Sequence, residues 1–133
     1  MKLAVDAIVF GYSKQDGVSV LLIQRKYEPF RNCWALPGGF VLENESLEQA
    51  VIRELSEETG IQVQYLEQLY TFGAPDRDPR QRIISVAYMG LVKTSQFQHL
   101  KASTDAEHAA WFSIRKLPPL AFDHKLLLET ATE

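Results

Sequence analysis

Two apolar, β-branched runs open the chain, LAVDAIVFGY (3–12) and VSVLLIQRKY (18–27), and the residues between them, SKQDG, are turn formers. This pattern predicts two strands joined as a hairpin. EPFRNCWALPGGFV (28–41) carries Pro29, Pro37 and the Gly38–Gly39 pair without a sustained period, and reads as an ordered loop. Helical spacing takes over in NESLEQAVIRELSEETG (44–60). There Ser46 with Gln49 can form a capping box, Asn44 is the alternative cap, and Gly60 suits a left-handed stop. VQYLEQLYTFG (63–73), IISVAYMGLVK (83–93) and AAWFSI (109–114) read as strands, with APDRDPRQR (74–82) as a polar loop. KLPPLAFDHKLLLETATE (116–133) breaks at two prolines and then predicts a terminal helix capped by Asp123. Many strands with one central and one terminal helix predict an α/β (α+β) sandwich around a mixed sheet, not a regular βαβ array. The pairing order is not contained in the pattern.

The central helix changes the picture. With about 100° per residue, Leu47, Val51 and Leu55 mark its buried side. Glu58 falls between Leu47 and Val51, Glu54 between Ala50 and Leu47, and Glu57 just beyond Ala50. The three acids therefore share the side that carries the apolar residues instead of spreading over a solvated face. Carboxylates placed there are desolvated, repel one another and lie near the negative end of the helix dipole. Arg53 reaches Glu57 at i,i+4, but one arginine does not neutralise three acids. A divalent cation does, and oxygen donors suit Mg²⁺ or Mn²⁺. The Gly38–Gly39 turn lets backbone approach a metal or phosphate closely, and a carbonyl there can complete a coordination sphere; taken by itself it reads as a plain turn.

Composition then removes alternatives. The 133 residues suffice for one domain, 1–133, with a single core. A net charge of −3 gives no bulk attraction to nucleic acid or an anionic membrane. Cys33 is the only cysteine, which excludes an intrachain disulfide and a cysteine-built metal site. Asp6 breaks the opening apolar run, no signal-peptide pattern is present, and no run approaches the roughly 20 apolar residues that cross a bilayer. A cytoplasmic location is the simplest expectation.

Gly39, Glu45 and RELSEETGI (53–61) together resemble the signature of the Nudix hydrolases: Gly, five residues, Glu, seven residues, Arg-Glu-apolar-x-Glu-Glu-x-Gly-apolar. Gly39, Glu45, Arg53, Glu54, Leu55, Glu57, Glu58, Gly60 and Ile61 fill every defined position. WALPGGFV and the flanking strands look similar too, so the resemblance covers most of the chain. It implies an α/β/α sandwich and a divalent-metal-dependent pyrophosphohydrolase of a nucleoside diphosphate linked to another group. It further implies that Glu54, Glu57 and Glu58 hold the metal with help from the Gly39 carbonyl, and that Arg53 orients a glutamate, most naturally Glu57. Glu45 is either supportive or a loop residue tying down the helix start. Glu54 is the expected general base, and Asp76, Asp78, Asp105 and Glu107 are the loop acids that could replace it.

For the substrate, YTFGAPDRDPRQRIISVAY (70–88) resembles the corresponding segment of ADP-ribose pyrophosphatases. LLIQRKYEPFRNCWALPGGF (21–40) and LPPLAFDHKLLLETA (117–131) resemble the same branch, which includes the ADP-ribose-sensing domains of Nudix-related transcriptional regulators. Cleavage of ADP-ribose to AMP and ribose 5-phosphate is the leading expectation. The alternatives are a nucleoside triphosphate or nucleotide-sugar hydrolase and a sensor without turnover. The intact helix acids favour turnover. The absence of a basic DNA-reading segment after Glu133 points the same way, weakly, because the chain stops within a helix pattern. Arg25, Phe40, Arg77 and Arg82 are the expected substrate contacts, with Arg80 in the same loop. Phe30, Trp34 and Phe40 can stack on a base or wall the site, with Trp34 and Phe40 equally readable as packing residues. His99, His108 and His124 lack metal-ligand spacing, and only His124, beside Asp123, invites attention. Related enzymes are often homodimers, which makes a homodimer the expectation for assembly; no membrane or nucleic-acid partner is expected.

Overall fold

The opening apolar run forms β1 (Lys2–Ser13), a strand buried on both faces. Successive side chains of a strand point to opposite faces. Val5, Ala7 and Val9 accordingly enter one core cluster, and Ile8 and Phe10 another. A strand covered on both sides has no solvent face, which explains why its sequence lacks polar alternation. β2 (Gly17–Arg25) folds back on β1 as the expected hairpin, with Phe10 opposite Val20 and Ser13 opposite Gly17. The computed structural model describes residues 1–94 and 106–133, leaving aside the side chains of Ala106 and Glu107. Of the expectations above, those for His99 and Asp105 lie outside the described residues, as does the side chain of Glu107.

The predicted loop contains two short strands, β3 (Trp34–Ala35) on β2 and β4 (Gly38–Phe40) on β1. Strands this brief carry no readable period. α1 follows (Leu47–Thr59), then β5 (Glu67–Phe72), β6 (Ile83–Lys93), β7 (Ala106–Ser113) and α2 (His124–Ala131). β5 starts at Glu67, not Val63, because Val63 and Leu66 leave the sheet path to pack on the core beneath α1. β6 runs parallel to β1 from Lys2 opposite Ile83 to Tyr12 opposite Lys93. The sheet order is β3-β2-β1-β6-β5, with β4 also on β1 and β7 also on β2.

α1 lays Ala50, Val51 and Leu55 on one side of the sheet, and α2 lays Leu127 and Leu128 on the other, giving the α/β/α sandwich. Each of the buried valine and leucine side chains contributes about 1.5–3 kcal/mol. Ser46, not Asn44, caps α1 in a complete box with Gln49, and Gly60 ends it at φ 78°. Asp123 occupies the N-cap position of α2 but makes no side-chain cap bond. Its carboxylate is held by Arg77 instead. Among the described residues no helix is long and apolar enough to cross a membrane.

Candidate active site

β4 brings Gly38 and Gly39 beside Asp6 and Val5 of β1 and over the last turns of α1. The Gly38 N–H donates to Glu58 Oε1 at 2.7 Å, and Glu58 is buried. A Cβ on Gly39 would stand 2.6 Å from the Glu54 carboxyl, so glycine is what lets backbone and carboxylate lie this close. Arg53 knits the region together. Its guanidinium donates to both Glu45 oxygens, to Glu54 Oε1 at 2.8 Å, to Glu57 Oε1 at 3.1 Å and to the Phe40 carbonyl. Hydrogen bonding to Glu45 leads the effects that hold Arg53 firmly protonated, and the same bond keeps the Glu45 carboxyl below its ordinary range. Glu45 also accepts the Leu42 N–H, so it does tie down the approach to the helix.

The cluster expected from the helix wheel is divided. Glu54 and Glu58 line a cavity of about 340 Å³, whereas Glu57 is not among its lining residues and its side chain is 54% exposed beside Arg53. Among the described residues no three acidic, imidazole or thiol groups stand together as a ready-made metal cage. The wheel fixes the direction in which Glu57 leaves the helix; the guanidinium at i,i+4 holds its carboxylate on the outer flank.

The wall of the cavity away from α1 is built from arginines and aromatics. Arg25 at the end of β2, Phe40 of β4 and Arg77 of the polar loop all line it, as does Arg80. The side chain of Arg77 is buried and forks onto Asp123 at 2.7 and 2.9 Å, so its charge is met within the protein. Arg80 forks onto buried Asp78 at 2.7 and 3.0 Å. Burial pushes the Asp78 carboxyl up, but the hydrogen bonds from Arg80 prevail and hold it below its usual range. Arg25 donates to the Pro29 carbonyl at 2.7 Å, and burial, followed by the charge of Arg80, lowers its pKa.

Other expected contacts lie elsewhere. Arg82 does not line the cavity; its guanidinium donates to the Gly73 carbonyl at 3.0 Å and closes the base of the 74–82 loop. Phe30 packs edge-on against Phe122, and Trp34 against Phe112, so neither forms the cavity wall. Asp76 and His108 are exposed and also lie off the cavity.

Sequence reasoning missed Asp6 and Phe122, and gave His124 no role. Asp6 is buried on the α2-facing side of β1, accepts a hydrogen bond from Ser85 Oγ, and lies 3.5 Å from His124 Nε2. His124 Nδ1 accepts the Leu36 N–H at 3.0 Å. That bond requires a lone pair on Nδ1, and burial, the main influence, pushes the His124 pKa down in keeping with a neutral ring. The glycine turn is thereby gripped from both layers, by Glu58 of α1 and His124 of α2. Asp6 did carry a signal: a lone carboxylate inside an apolar strand needs buried partners.

An α/β/α sandwich with a glycine turn seated on the Arg-Glu end of its central helix defines a Nudix-type domain. The chain belongs to that family: residues 1–131 match the NUDIX domain. It is 42% identical over 127 residues to the ADP-ribose pyrophosphatase of Methanocaldococcus jannaschii, covering 96% of this chain and 70% of that protein. It is 37% identical over 133 residues to the ADPR responsive transcriptional repressor NtrR of Acinetobacter baylyi, covering 97% of this chain but only 52% of the repressor. Among solved structures, the NUDIX domain of Shewanella oneidensis NrtR complexed with ADP ribose superposes with a TM-score of 0.91 at 39% identity, over 99% of this chain and 86% of that one. Proteins of this family generally use divalent metals.

Proposed function

We propose that this chain hydrolyses the diphosphate of ADP-ribose, giving AMP and ribose 5-phosphate. One observation carries the reading: Glu54, Glu58 and the bare edge of Gly39 face three arginines across a single cavity. Its volume falls within the usual range for small-ligand sites. The similarity to an ADP-ribose pyrophosphatase and to a domain solved with ADP ribose supports this choice of substrate.

The donor set fits a divalent ion. Two carboxylates offer hard oxygen ligands, and the missing Cβ at Gly39 lets its backbone lie close against the Glu54 carboxylate. Glu54 and Glu58 with the Gly39 carbonyl would hold Mg²⁺ or Mn²⁺, and Glu57 is the further carboxylate on the same turn. When bound, the ion neutralises diphosphate oxygens and lowers the pKa of water. Arg53 fixes the Glu54 carboxylate, which accepts the proton of the attacking water. The water oxygen forms the new bond to one phosphorus, the bridging P–O bond breaks, and the bridging oxygen leaves on the other phosphate. Arg25 and Phe40 face the substrate from the opposite wall, and Arg77 keeps the 74–82 loop in place through Asp123.

The test is a panel of ADP-ribose, dinucleotides, nucleotide sugars and nucleoside triphosphates, with and without Mg²⁺ or Mn²⁺. Cleavage of ADP-ribose to AMP in preference to the others is expected, with Glu54→Gln and Glu58→Gln nearly inactive yet folded. Faster turnover of another substrate refutes the assignment. Binding of ADP-ribose without cleavage makes the chain a sensor.

A further inference from the structure

Between β3 and β4 the chain leaves the sheet at Leu36 and Pro37, so no ladder satisfies the backbone there. Leu36 is only 2% exposed, and its N–H therefore needs a partner inside the protein. Three successive backbone groups are each tied to a different element. The Leu36 N–H donates to His124 Nδ1 of α2 at 3.0 Å, and the Pro37 carbonyl accepts the Ala7 N–H of β1 at 2.7 Å. The Gly38 N–H donates to Glu58 Oε1 of α1 at 2.7 Å.

His124 is steadied on its other edge as well. With Nδ1 accepting, the neutral ring carries its proton on Nε2, which faces Asp6 Oδ1 at 3.5 Å. Asp6 accepts from Ser85 Oγ and is the β1 residue opposite Gly38, so the imidazole is braced against the strand that the turn itself lies on. The corner before α2 adds two backbone bonds to β3. The Trp34 N–H donates to the Pro119 carbonyl at 3.1 Å, and the Trp34 carbonyl accepts the Ala121 N–H at 2.8 Å. The start of α2 is thus joined to residues 34–36 by three hydrogen bonds, and residue 38 is joined to α1 by a fourth.

We propose that His124 is a positioning residue for the ion-binding end of the cavity, acting through the Leu36 N–H on the turn that carries Gly38 and Gly39. This rests on the reading that Glu58 and the Gly39 carbonyl hold the divalent ion, and it adds a contribution from the far layer of the sandwich. The Gly38 N–H and Glu58 Oε1 keep turn and carboxylate in register only while the turn stays where His124 holds it. Without an acceptor at residue 124 the buried Leu36 N–H is stranded, and the turn moves to find another partner. Restoring its order when an ion binds then subtracts from the affinity. His124 touches neither Glu58 nor Gly39 through any of these bonds, so its influence passes entirely through backbone.

Calorimetric titration with Mn²⁺, paired with amide hydrogen exchange in EDTA, tests this on the full chain. His124→Leu removes the acceptor, whereas His124→Asn places an amide oxygen where Nδ1 stands, both atoms being bonded to Cγ. His124→Leu is expected to weaken Mn²⁺ binding about tenfold, a loss of about 1.4 kcal/mol, and to speed exchange at Gly38 as well as at Leu36. His124→Asn is expected to recover most of both effects. Leu128→Val, a core change on the same helix, is expected to lower Tm and leave Mn²⁺ affinity unchanged, which separates positioning from general loss of stability. Should thermal melts show His124→Leu unfolded, His124→Gln, whose longer amide reaches toward Asp6 and not Leu36, takes its place in the comparison. Unchanged Mn²⁺ affinity in the folded variant lacking the acceptor overturns the proposal, as does an equal loss in His124→Asn or Leu128→Val. Loss of Mn²⁺ binding in Glu58→Gln but not in His124→Leu sinks the proposal alone; no Mn²⁺ binding by the intact chain sinks the metal reading beneath it as well.

Discussion

Gly38 and Gly39 are adjacent, both lie in β4, and neither has a positive φ, so the backbone of each accepts alanine without strain. What a methyl group would meet differs. At Gly38 it falls inside contact distance of the Val5 carbonyl oxygen and 2.6 Å from Asp6 Oδ1. Backbone in a central strand cannot retreat, and Asp6 is held by Ser85, so β4 must lift away from β1. Overpacking of this kind costs about 1–3 kcal/mol, about 4–12 °C in Tm at about 4 °C per kcal/mol for a chain of this size. At Gly39 the methyl meets only the end of the Glu54 side chain, at 2.6–2.8 Å. Glu54 can rotate aside, giving up its part-buried bond to Arg53 while Arg53 keeps its bonds to Glu45 and Glu57, a loss of about 1 kcal/mol.

Activity should rank the two oppositely to their relative stability losses. A displaced Glu54 no longer faces the cavity, and a misplacement of about 1 Å in a reacting group can cost about 10²-fold. Gly39→Ala is therefore expected to unfold within about 4 °C of wild type while losing at least about 10²-fold in kcat. Gly38→Ala is expected to melt at the lower temperature of the two. Thermal melts with ADP-ribose turnover measured well below both midpoints decide the matter. Wild-type kcat in Gly39→Ala, or a larger melting shift there than in Gly38→Ala, refutes the reasoning.

Arg77→Met should destabilise by about 3 kcal/mol, because it strands Asp123 and removes a cation from beside Asp6; urea unfolding reads the loss. His124 is buried with its pKa pushed down, so the native state favours the neutral ring. Its stabilisation is complete above the unfolded value of about 6.5 and is lost as pH falls through the lower folded value. Melting points of the intact chain should thus decline below about pH 6.5, and His124→Asn should flatten that decline. Mn²⁺ at about 100 times its Kd should raise stability by about 2.7 kcal/mol, and Glu58→Gln should abolish most of that gain in the same melts.

Much of the framework was legible because local rules agree with tertiary demand. The Ser46–Gln49 box, the Gly60 stop and the apolar stripe of α1 are all properties of contiguous sequence, and each appears as expected. The unbroken apolar character of β1 announced a strand covered on both sides. β3 and β4 were not legible, because two and three residues carry no period and their pairing partners lie in β2 and β1. The wheel failed for Glu57 for a related reason: it gives the angle at which a side chain departs, but not which cation captures its end.

The half of the cavity opposite α1 is the harder case. Arg80 and Asp78 are neighbours, and an arginine two residues from an aspartate in a proline-bounded loop looks like an ordinary solvated pair. Only when the corner before α2 swings Phe122 under that loop does the pair acquire a ring and a second arginine. Those residues come from β2, the 74–82 loop and the corner before α2, three segments with no sequence spacing in common. The acidic helix end is legible because one helix supplies nearly all of it, so its spacing is fixed by backbone geometry. An arginine wall assembled from separate segments is fixed only by packing, and its residues can change without disturbing the helix. Such a wall can therefore differ among chains that keep the same Arg-Glu helix, which is why the helix pattern says nothing of it.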